Sequence, residues 1–451
     1  MARRPPSNPV RTPLWRTAVL ALACLPACYR AMPLDEAALL RQVRDPAAAT
    51  SAGRAPAPAP TGPLTEADAI ALAMTANPGL RAQRAGVAVA VADVLKARRL
   101  ENPEIRIANG WQEDGGFGED RFTMDLRWSP EPLPRHLAGI DAAKAAVSAR
   151  EAEVADRTWD IRRQTRLAWT RAVFAGLRTA VEDRRAALRG AVLGRLDATP
   201  GVDPLARLRA RVATSAAQDQ ARRRRDEEGA ALQDLAKILG RASREGLAVA
   251  VGAEPPACEA PPPDPTPLVD AAGGRHPRVR TARAAYAIAE AELKVEYARR
   301  LPWARWVQVG WGYQPHVDKT VTTYRNQVRL GVSLDLPILD WNQGGVASGQ
   351  ARRGREAERF RGTLVEVVGD ADDALRRWTA AHEALGRMQR ETAPLADQAV
   401  AATAEAVRTG RLAELDLLKA RLEALDVRES LLDAMRSCRE AAIDAQSGIG
   451  D

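Results

Sequence analysis

Apolar and polar residues alternate strictly in four stretches of the chain, and these stretches lie in two pairs. The first pair covers residues 104–112 and 121–128, which are joined by the glycine-rich stretch 114–118. The second pair covers residues 307–313 and 328–336. A period of two indicates β-strands with one apolar and one polar face. The sequence therefore predicts two β-hairpins.

Long helical patterns flank both hairpins. Residues 64–100 predict a helix capped by Thr65, and residues 136–196 contain no proline, which at 1.5 Å per residue gives a helix of about 90 Å. Residues 346–408 predict a second long helix, which Pro394 should kink. Apolar residues at coiled-coil spacing follow two of these helices: Leu167, Phe174, Val181 and Leu188 in the first half, and Leu415, Leu418, Leu422, Leu425 and Leu432 near the end of the chain.

The two halves of the chain are related by duplication. At an offset of 199 residues, Pro78, Arg81 and Pro103 align with Pro277, Arg280 and Pro302, and at an offset of 210 residues Leu205 and Leu208 align with Leu415 and Leu418. Each half follows the order helix, two strands, two long helices, and the helices reverse at 197–204 and 409–410. We expect a signal peptide at 1–27, an anchored Pro/Ala-rich segment at 28–63, repeats at 64–250 and 268–451, and a proline-rich linker at 251–267.

The hairpins fit either a soluble sheet covered by helices on one face or strands that cross a membrane. Three observations favour the membrane: each strand has about 9–11 residues, as a tilted membrane strand requires, tryptophan and tyrosine lie near the strand ends, and the chain carries an export signal. A mean hydropathy of −0.31, without 18 consecutive apolar residues, excludes a helical membrane protein. Two hairpins cannot close a barrel, so several copies must assemble.

The amino-terminal sequence predicts export and a lipid anchor. Four arginines precede the apolar run at 17–27, which is typical of a secretory signal. Cys28 follows Leu25 and Ala27 in the pattern of a lipobox, so we expect an acylated Cys28 on outer-membrane lipid, with Cys24 as the weaker candidate and simple cleavage as the alternative. Cleavage before Cys28 lowers the formal charge from +8 to +4.

No motif for catalysis, a cofactor or a metal is present in the sequence. The four histidines lie on different predicted elements without ligand spacing, and neither a nucleophile elbow nor a phosphate-binding loop occurs. The basic run 222–225 precedes three acids on a helical stretch, which predicts a solvated helix face and no nucleic-acid partner. Export permits a disulfide between Cys258 and Cys438, but no spacing motif indicates one.

Three motifs, in duplicated order, resemble those of a known family. They are residues 64–69 with Asn77-Pro78, residues 336–340 followed by Gly344-Gly345 as a strand-to-helix turn, and residues 407–410 followed by 415–418. Over residues 64–448 the chain resembles the TolC-like outer-membrane efflux factors. The resemblance implies a mainly α protein with membrane β structure: a homotrimer whose four strands per chain build a twelve-stranded barrel that continues into a periplasmic tunnel of antiparallel coiled-coil helices.

The resemblance also implies partners and sites. Family members join a periplasmic adaptor protein and, through it, an inner-membrane transporter, and the adaptor meets the helical tips. By position the tips are Thr409, Gly410, Arg411 and Leu412, with Pro200, Gly201 and Val202 as their counterpart in the first repeat. Asp416 matches an acid that narrows the closed entrance, whereas Lys419 stands where some members carry a second acid. The first repeat departs from the family at 129–134, which lacks the paired glycines.

The predicted function is passive conduction of solutes across the bacterial outer membrane, without chemistry, by a lipoprotein with a large periplasmic portion. Two alternatives stay open: an export channel of a type I protein secretion system, and a coiled-coil scaffold lipoprotein without a pore. The solute could be a drug, a metal ion or a polypeptide. Residues 102–105 resemble metal-efflux members, but the few histidines and methionines give no support for metal contacts along a lumen.

Overall fold

The computed structural model describes residues 34–37, 39–40, 62–110, 121–250, 255–264, 266–318 and 321–449. The chain forms two compact units, Met1–Ala55 and Pro56–Asp451. All of the strands and long helices that the structure describes belong to the second unit. The signal peptide, Cys24, Cys28 and the strand connection with Trp111 and residues 114–118 lie outside the described residues.

Each half of the chain has the predicted order of elements. The first half contains α1 (Glu66–Ala76), α2 (Pro78–Ala97), β1 (Glu104–Gly110), β2 (Arg121–Trp128), α3 (Leu133–Ala198) and α4 (Pro204–Ile238). The second half contains α5 (Thr266–Arg275), α6 (Pro277–Ala298), β3 (Trp303–Asp318), β4 (Val321–Asp335), α7 (Gln343–Arg387), a π-helical turn (Met388–Thr392), α8 (Ala393–Arg408) and α9 (Glu414–Ile449).

The first helix of each half is broken, so the prediction of one continuous helix over 64–100 was wrong. Pro78 has no N–H to continue a helix, and Asn77 leaves the helical conformation at ψ 119° and accepts a hydrogen bond from the Leu80 N–H at 3.1 Å. His276, which is 199 residues further on, does the same before Pro277: its Nδ1 accepts from the Arg278 N–H at 3.1 Å. The duplication therefore extends to the local geometry of the break.

The four strands form one antiparallel sheet in the order β1-β2-β3-β4. The register places Ile105, Leu126, Val309 and Leu330 in one row across all four strands. With 16 and 15 residues, β3 and β4 are longer than predicted. β1 and β4 are the two edge strands, because each pairs with one described neighbour.

The helices that follow the sheet are long, as predicted. α3 has 66 residues without a break, or about 100 Å. In the second half, the π-helical turn ends at Thr392, two residues before Pro394, so the interruption expected there is present. Gly344 and Gly345 were predicted to form the turn between the strand and the helix, but they lie in the first turn of α7. Among the described residues, no helix is long and apolar enough to cross a membrane.

Each half packs its own apolar core. In the first half, Leu80, Ile161 and Leu235 are fully buried, and Leu64 is held by a bridge to Val249 and by the Trp169 indole N–H, which donates to its carbonyl oxygen at 2.9 Å. In the second half, the core includes Trp378, Leu385, Cys438 and Ala442, and a disulfide joins Cys438 to Cys258. A smaller apolar cluster of Phe174, Val181 and Leu432 joins α3 to α9 across the two halves. Within the part of the chain that the structure describes, none of the buried apolar clusters contains a residue of the four-stranded sheet.

Candidate functional site

One face of the sheet is apolar and exposed in the single chain. Leu330 is 80% exposed, Val328 74% and Ile105 65%, although alternation predicts apolar side chains on a covered face. The interpretation as a soluble sheet with helices over this face is therefore wrong for the described residues. The remaining exposed apolar residues of the same face are Ile107, Met124, Leu126, Trp128, Val307, Val309, Trp311, Val332 and Leu334.

The opposite face of the sheet carries charged side chains. Arg329 of β4 donates through Nη2 to Oδ1 of Asp125 on β2 at 3.1 Å, across the intervening β3, and the Arg127 guanidinium lies 4.5 Å from the centre of the Trp306 ring. Gly310 lies between Arg329 and Asp125, where a Cβ would collide with the Asp125 carboxylate. The absence of a side chain at Gly310 thus permits the ion pair, and this face presents a polar surface.

The connection from the sheet to α7 is fixed by a hydrogen-bonded turn. Asn342 adopts a left-handed conformation at φ 53°, and its Nδ2 donates to the backbone oxygen of Glu296 at 2.9 Å and to the Glu296 carboxylate at 2.8 Å. That hydrogen bond lowers the pKa of Glu296, with a further contribution from the charge of Arg299. A Cβ at position 345 would collide with both Asn342 and Glu296. The need for Gly345 is therefore steric.

Each of the two predicted tips is a short reversal between two consecutive helices, α3 to α4 and α8 to α9. Gly201 and Gly410 adopt left-handed conformations with φ 77° and 75°, which glycine reaches at no steric cost. Arg195, near the end of α3, forms an ion pair with Glu414 at the start of α9. This ion pair joins the end of α3, which leads to Pro200, Gly201 and Val202, to the start of α9, which follows Thr409, Gly410, Arg411 and Leu412.

Asp416 is engaged within its own helix. Its Oδ2 accepts from the Ala413 N–H at 3.3 Å, as a capping acid does, and its Oδ1 lies 3.5 Å from the Lys419 ammonium. Both side chains are at least 40% exposed. Lys419 therefore partly compensates the charge that Asp416 would contribute to an acidic entrance. Before the same tip, a hydrogen bond from Arg408 lowers the pKa of the exposed Glu405.

A network of charged side chains joins α3, α4 and α9 above the tips. Glu429 of α9 accepts from Arg185 of α3 at 2.9 Å and from Arg224 of α4 at 2.7 Å. Burial alone would raise the pKa of Glu429, but the charges and hydrogen bonds of the two arginines outweigh it and hold the pKa below its usual range. The neighbouring Glu182 is 1% exposed, and burial raises its pKa despite the charge of Arg185 at 3.2 Å.

This network was not predicted from the sequence. The predicted solvated face at 222–225 is correct for the exposed Arg222 and Arg223 but wrong for Arg224, whose side chain is 20% exposed and binds Glu429. A signal was present, because Glu429 interrupts the leucine spacing of α9 where an apolar residue is expected. A charged residue in such a seam indicates a partner on a facing helix.

The described histidines lie apart. His136 contacts the Glu131 carboxylate at 3.2 Å, and His276 is buried as a helix cap with its pKa lowered to about 4 by burial and by the charge of Arg278. His382 lies 4.0 Å from the sulfur of Cys438. The disulfide to Cys258, which the sequence left open, brings residues 180 positions apart together. Sequence spacing contains no signal for such a meeting.

Comparisons with known proteins agree with this architecture. Residues 268–449 match the family model described as outer membrane efflux protein. Over 393 residues, covering 86% of this chain and 90% of the relative, the chain is 24% identical to the cobalt-zinc-cadmium resistance protein CzcC of Cupriavidus metallidurans.

Solved structures extend the similarity over most of the chain. The fold matches the MtrE outer membrane channel of Neisseria gonorrhoeae in its open state with a TM-score of 0.66 and 16% identity, over 85% of this chain and 88% of that one. It matches the outer membrane protein VceC of Vibrio cholerae with a TM-score of 0.65 and 15% identity, over 85% and 96%. The family match in the second half and the fold shared with outer-membrane channels along both halves confirm the resemblance to the TolC-like outer-membrane efflux factors.

Proposed function

We propose that three copies of this chain form the outer-membrane channel of a tripartite efflux pump. The channel passively conducts solutes from a periplasmic adaptor and an inner-membrane transporter to the exterior. One observation carries the proposal: a four-stranded sheet with a bare apolar face and two open edges continues directly into helices of about 100 Å. The exposed apolar face argues against the scaffold alternative, since a scaffold in water would have to expose these apolar side chains to solvent.

The strand directions permit closure by further copies. An open edge cannot persist in lipid, because no water is there to satisfy its N–H and C=O groups. β1 and β4 run in opposite directions in the antiparallel sheet, so β4 of one copy can pair antiparallel with β1 of the next. Three copies give twelve strands, an even number as in outer-membrane barrels. The apolar face then meets lipid, and the face with Asp125 and Arg329 lines the lumen.

The tips are proposed to receive the adaptor. Gly201 and Gly410 each shape a reversal between two helices, and Leu412, two residues after Gly410, is 44% exposed. Opening would be a rearrangement of the tip helices biased by adaptor contact, with Asp416 as part of the gate. The ion pair between Arg195 and Glu414 and the contacts of Glu429 would hold the closed arrangement, because both link α3 to α9.

The solute class and the anchor are part of the same proposal. The relative CzcC bears the name of a cobalt-zinc-cadmium resistance protein, which favours divalent metal ions as the solute. Loss of the gene should then lower tolerance to cobalt, zinc and cadmium and leave tolerance to apolar drugs unchanged. Acylation of Cys28 would attach the mature chain to the membrane and would appear as the mass of a lipid on the amino-terminal peptide, absent after Cys28→Ser.

The decisive experiment combines detergent dependence with conductance. The Cys28→Ser protein should still require detergent, migrate as a trimer and produce single-channel currents in a planar bilayer. A scaffold would instead become water-soluble without its lipid. A monomer that is soluble without detergent and passes no current would refute the proposal.

A further inference from the structure

Three side chains that can bind a metal ion meet where the linker between the two halves crosses the last helices. Cys258 belongs to the linker, His382 to α7 and Cys438 to α9. The two cysteines form a disulfide with their Cα atoms 5.8 Å apart, and Nδ1 of His382 lies 4.0 Å from Cys438 Sγ. One donor atom from each residue lies within 4.8 Å of the other two.

The linker is held against these helices independently of the sulfur bond. The Trp378 indole N–H donates to the Glu259 backbone oxygen at 3.1 Å, and Arg439 donates through Nη1 to the Ala257 oxygen at 3.3 Å. Gln446 donates through Nε2 to the Glu259 carboxylate at 2.6 Å. Three hydrogen bonds thus hold the residues on both sides of Cys258, so breaking the disulfide leaves the two thiols close together.

The chemistry of the three donors selects a class of ligand. Two thiolates and one imidazole nitrogen suit Zn²⁺ and ions of similar softness. The two thiolate charges cancel the charge of a divalent cation, and a neutral complex is cheap to place beside Cys438, which is fully buried. Among the described residues, the His382 ring makes one polar contact, which is the contact with Cys438. Binding a metal ion would therefore break no other hydrogen bond of His382.

We propose that Cys258, His382 and Cys438 form a binding site for a zinc-class divalent cation when the two cysteines are reduced. The disulfide and the bound cation are then alternative ways of fastening the linker to α9. A dithiol reductant supplies two electrons and two protons to open the disulfide and is itself converted to a disulfide, and the cation displaces the two thiol protons. The site concerns the linker and does not depend on the proposed conduction of solutes.

The test uses the full-length protein in detergent. The protein is reduced with dithiothreitol, desalted without oxygen, treated with a chelator and titrated with Co²⁺ as a spectroscopic probe. We expect one ion per chain with thiolate-to-cobalt charge-transfer absorption in the reduced protein, displacement by Zn²⁺, and no such absorption in the oxidised protein. His382→Ala and His382→Gln should each weaken zinc binding at least about tenfold, because losing even an outer-shell partner of a ligand costs about 10–100-fold in metal affinity. Thiol titration should show that the disulfide still forms in both variants.

Two control variants distinguish the proposed site from unspecific cation binding. His136→Ala removes a histidine that contacts Glu131 and should bind zinc as the unmodified protein does. The Cys258→Ser/Cys438→Ser double variant should lose the site. The proposal is overturned if the reduced protein binds no more cation than this double variant, which would indicate adventitious ions only, or if both His382 variants retain full affinity.

Discussion

Replacing Leu330 with arginine tests whether the exposed face of the sheet meets lipid. Leu330 lies in the row formed with Ile105, Leu126 and Val309, and apolar residues follow along β4 in both directions, at 328 and at 332 and 334. Rows of one face are spaced by about 7 Å along a strand. Leu330 therefore lies near the middle of an apolar band, and Leu330 itself is 80% exposed in the single chain.

The cost follows from that position. An arginine on the lipid face costs about 2–4 kcal/mol at the bilayer midplane and about 0–1 near the interfaces. Leu330→Arg should thus destabilise the inserted protein by about 2–4 kcal/mol per chain, and a trimer carries the substitution three times. We expect a large loss of folded trimer from the outer-membrane fraction, measured by size-exclusion chromatography after detergent extraction.

The matched control lies three residues away on the same strand. Gln327 is exposed on the polar face, so Gln327→Arg should leave the trimer yield unchanged and alter only the single-channel conductance. Equal yields for the two arginine variants would refute the assignment of the faces. Loss of trimer with Gln327→Arg alone would show that the two faces are assigned in reverse.

Three further outcomes follow from the helical region. Glu429→Gln leaves Arg185 and Arg224 without their shared partner and should lower the free energy of unfolding by about 3 kcal/mol, the lower end for a buried pair because a fifth of each side chain is exposed. The control Asp426→Asn removes a 68% exposed partner of Arg185 and should lower it by less than about 1 kcal/mol. Both values are measured by thermal unfolding followed by circular dichroism. Folding lowers the pKa of Glu429, so the stabilisation by its carboxylate is present above the pKa of the unfolded state and is lost as the pH falls through the pKa of the folded state. The unfolding midpoint of the unmodified protein should therefore approach that of Glu429→Gln in acid. A difference that stays constant with pH would contradict the ion pairs. Asp416→Ala should raise the conductance of the isolated trimer, whereas unchanged conductance would remove Asp416 from the gate.

The sequence predicted what depends on local pattern. Alternation and heptad spacing gave the strands, the long helices and their order in both halves. The break at Asn77-Pro78 was also predictable, because a proline disfavours the helical conformation of the residue before it, and α2 likewise ends at Ala97, before Pro103. The helical pattern on both sides of Pro78 outweighed the rule, and the structure shows that proline restricts the residue before it in either context.

Contacts between distant segments could not be read in this way. Arg224 and Glu429 are 205 residues apart, and each lies in a stretch with an ordinary local explanation, a solvated helix face and a leucine seam. Cys258 and Cys438 carry no spacing motif because their meeting depends on how the linker crosses α9. Such pairs are set by the packing of helices, which a single sequence without an alignment does not specify.

The disulfide makes the second half of the chain a covalent ring. It closes 180 residues, and β3, β4, α7 and α8 all lie inside that ring. A protease that cuts the β3–β4 connection from outside the cell would therefore leave the two fragments joined, and they would separate only on a reducing gel. On a gel without reductant, cleavage of this hairpin would not be detected, because the disulfide would hold the two fragments together as one molecule.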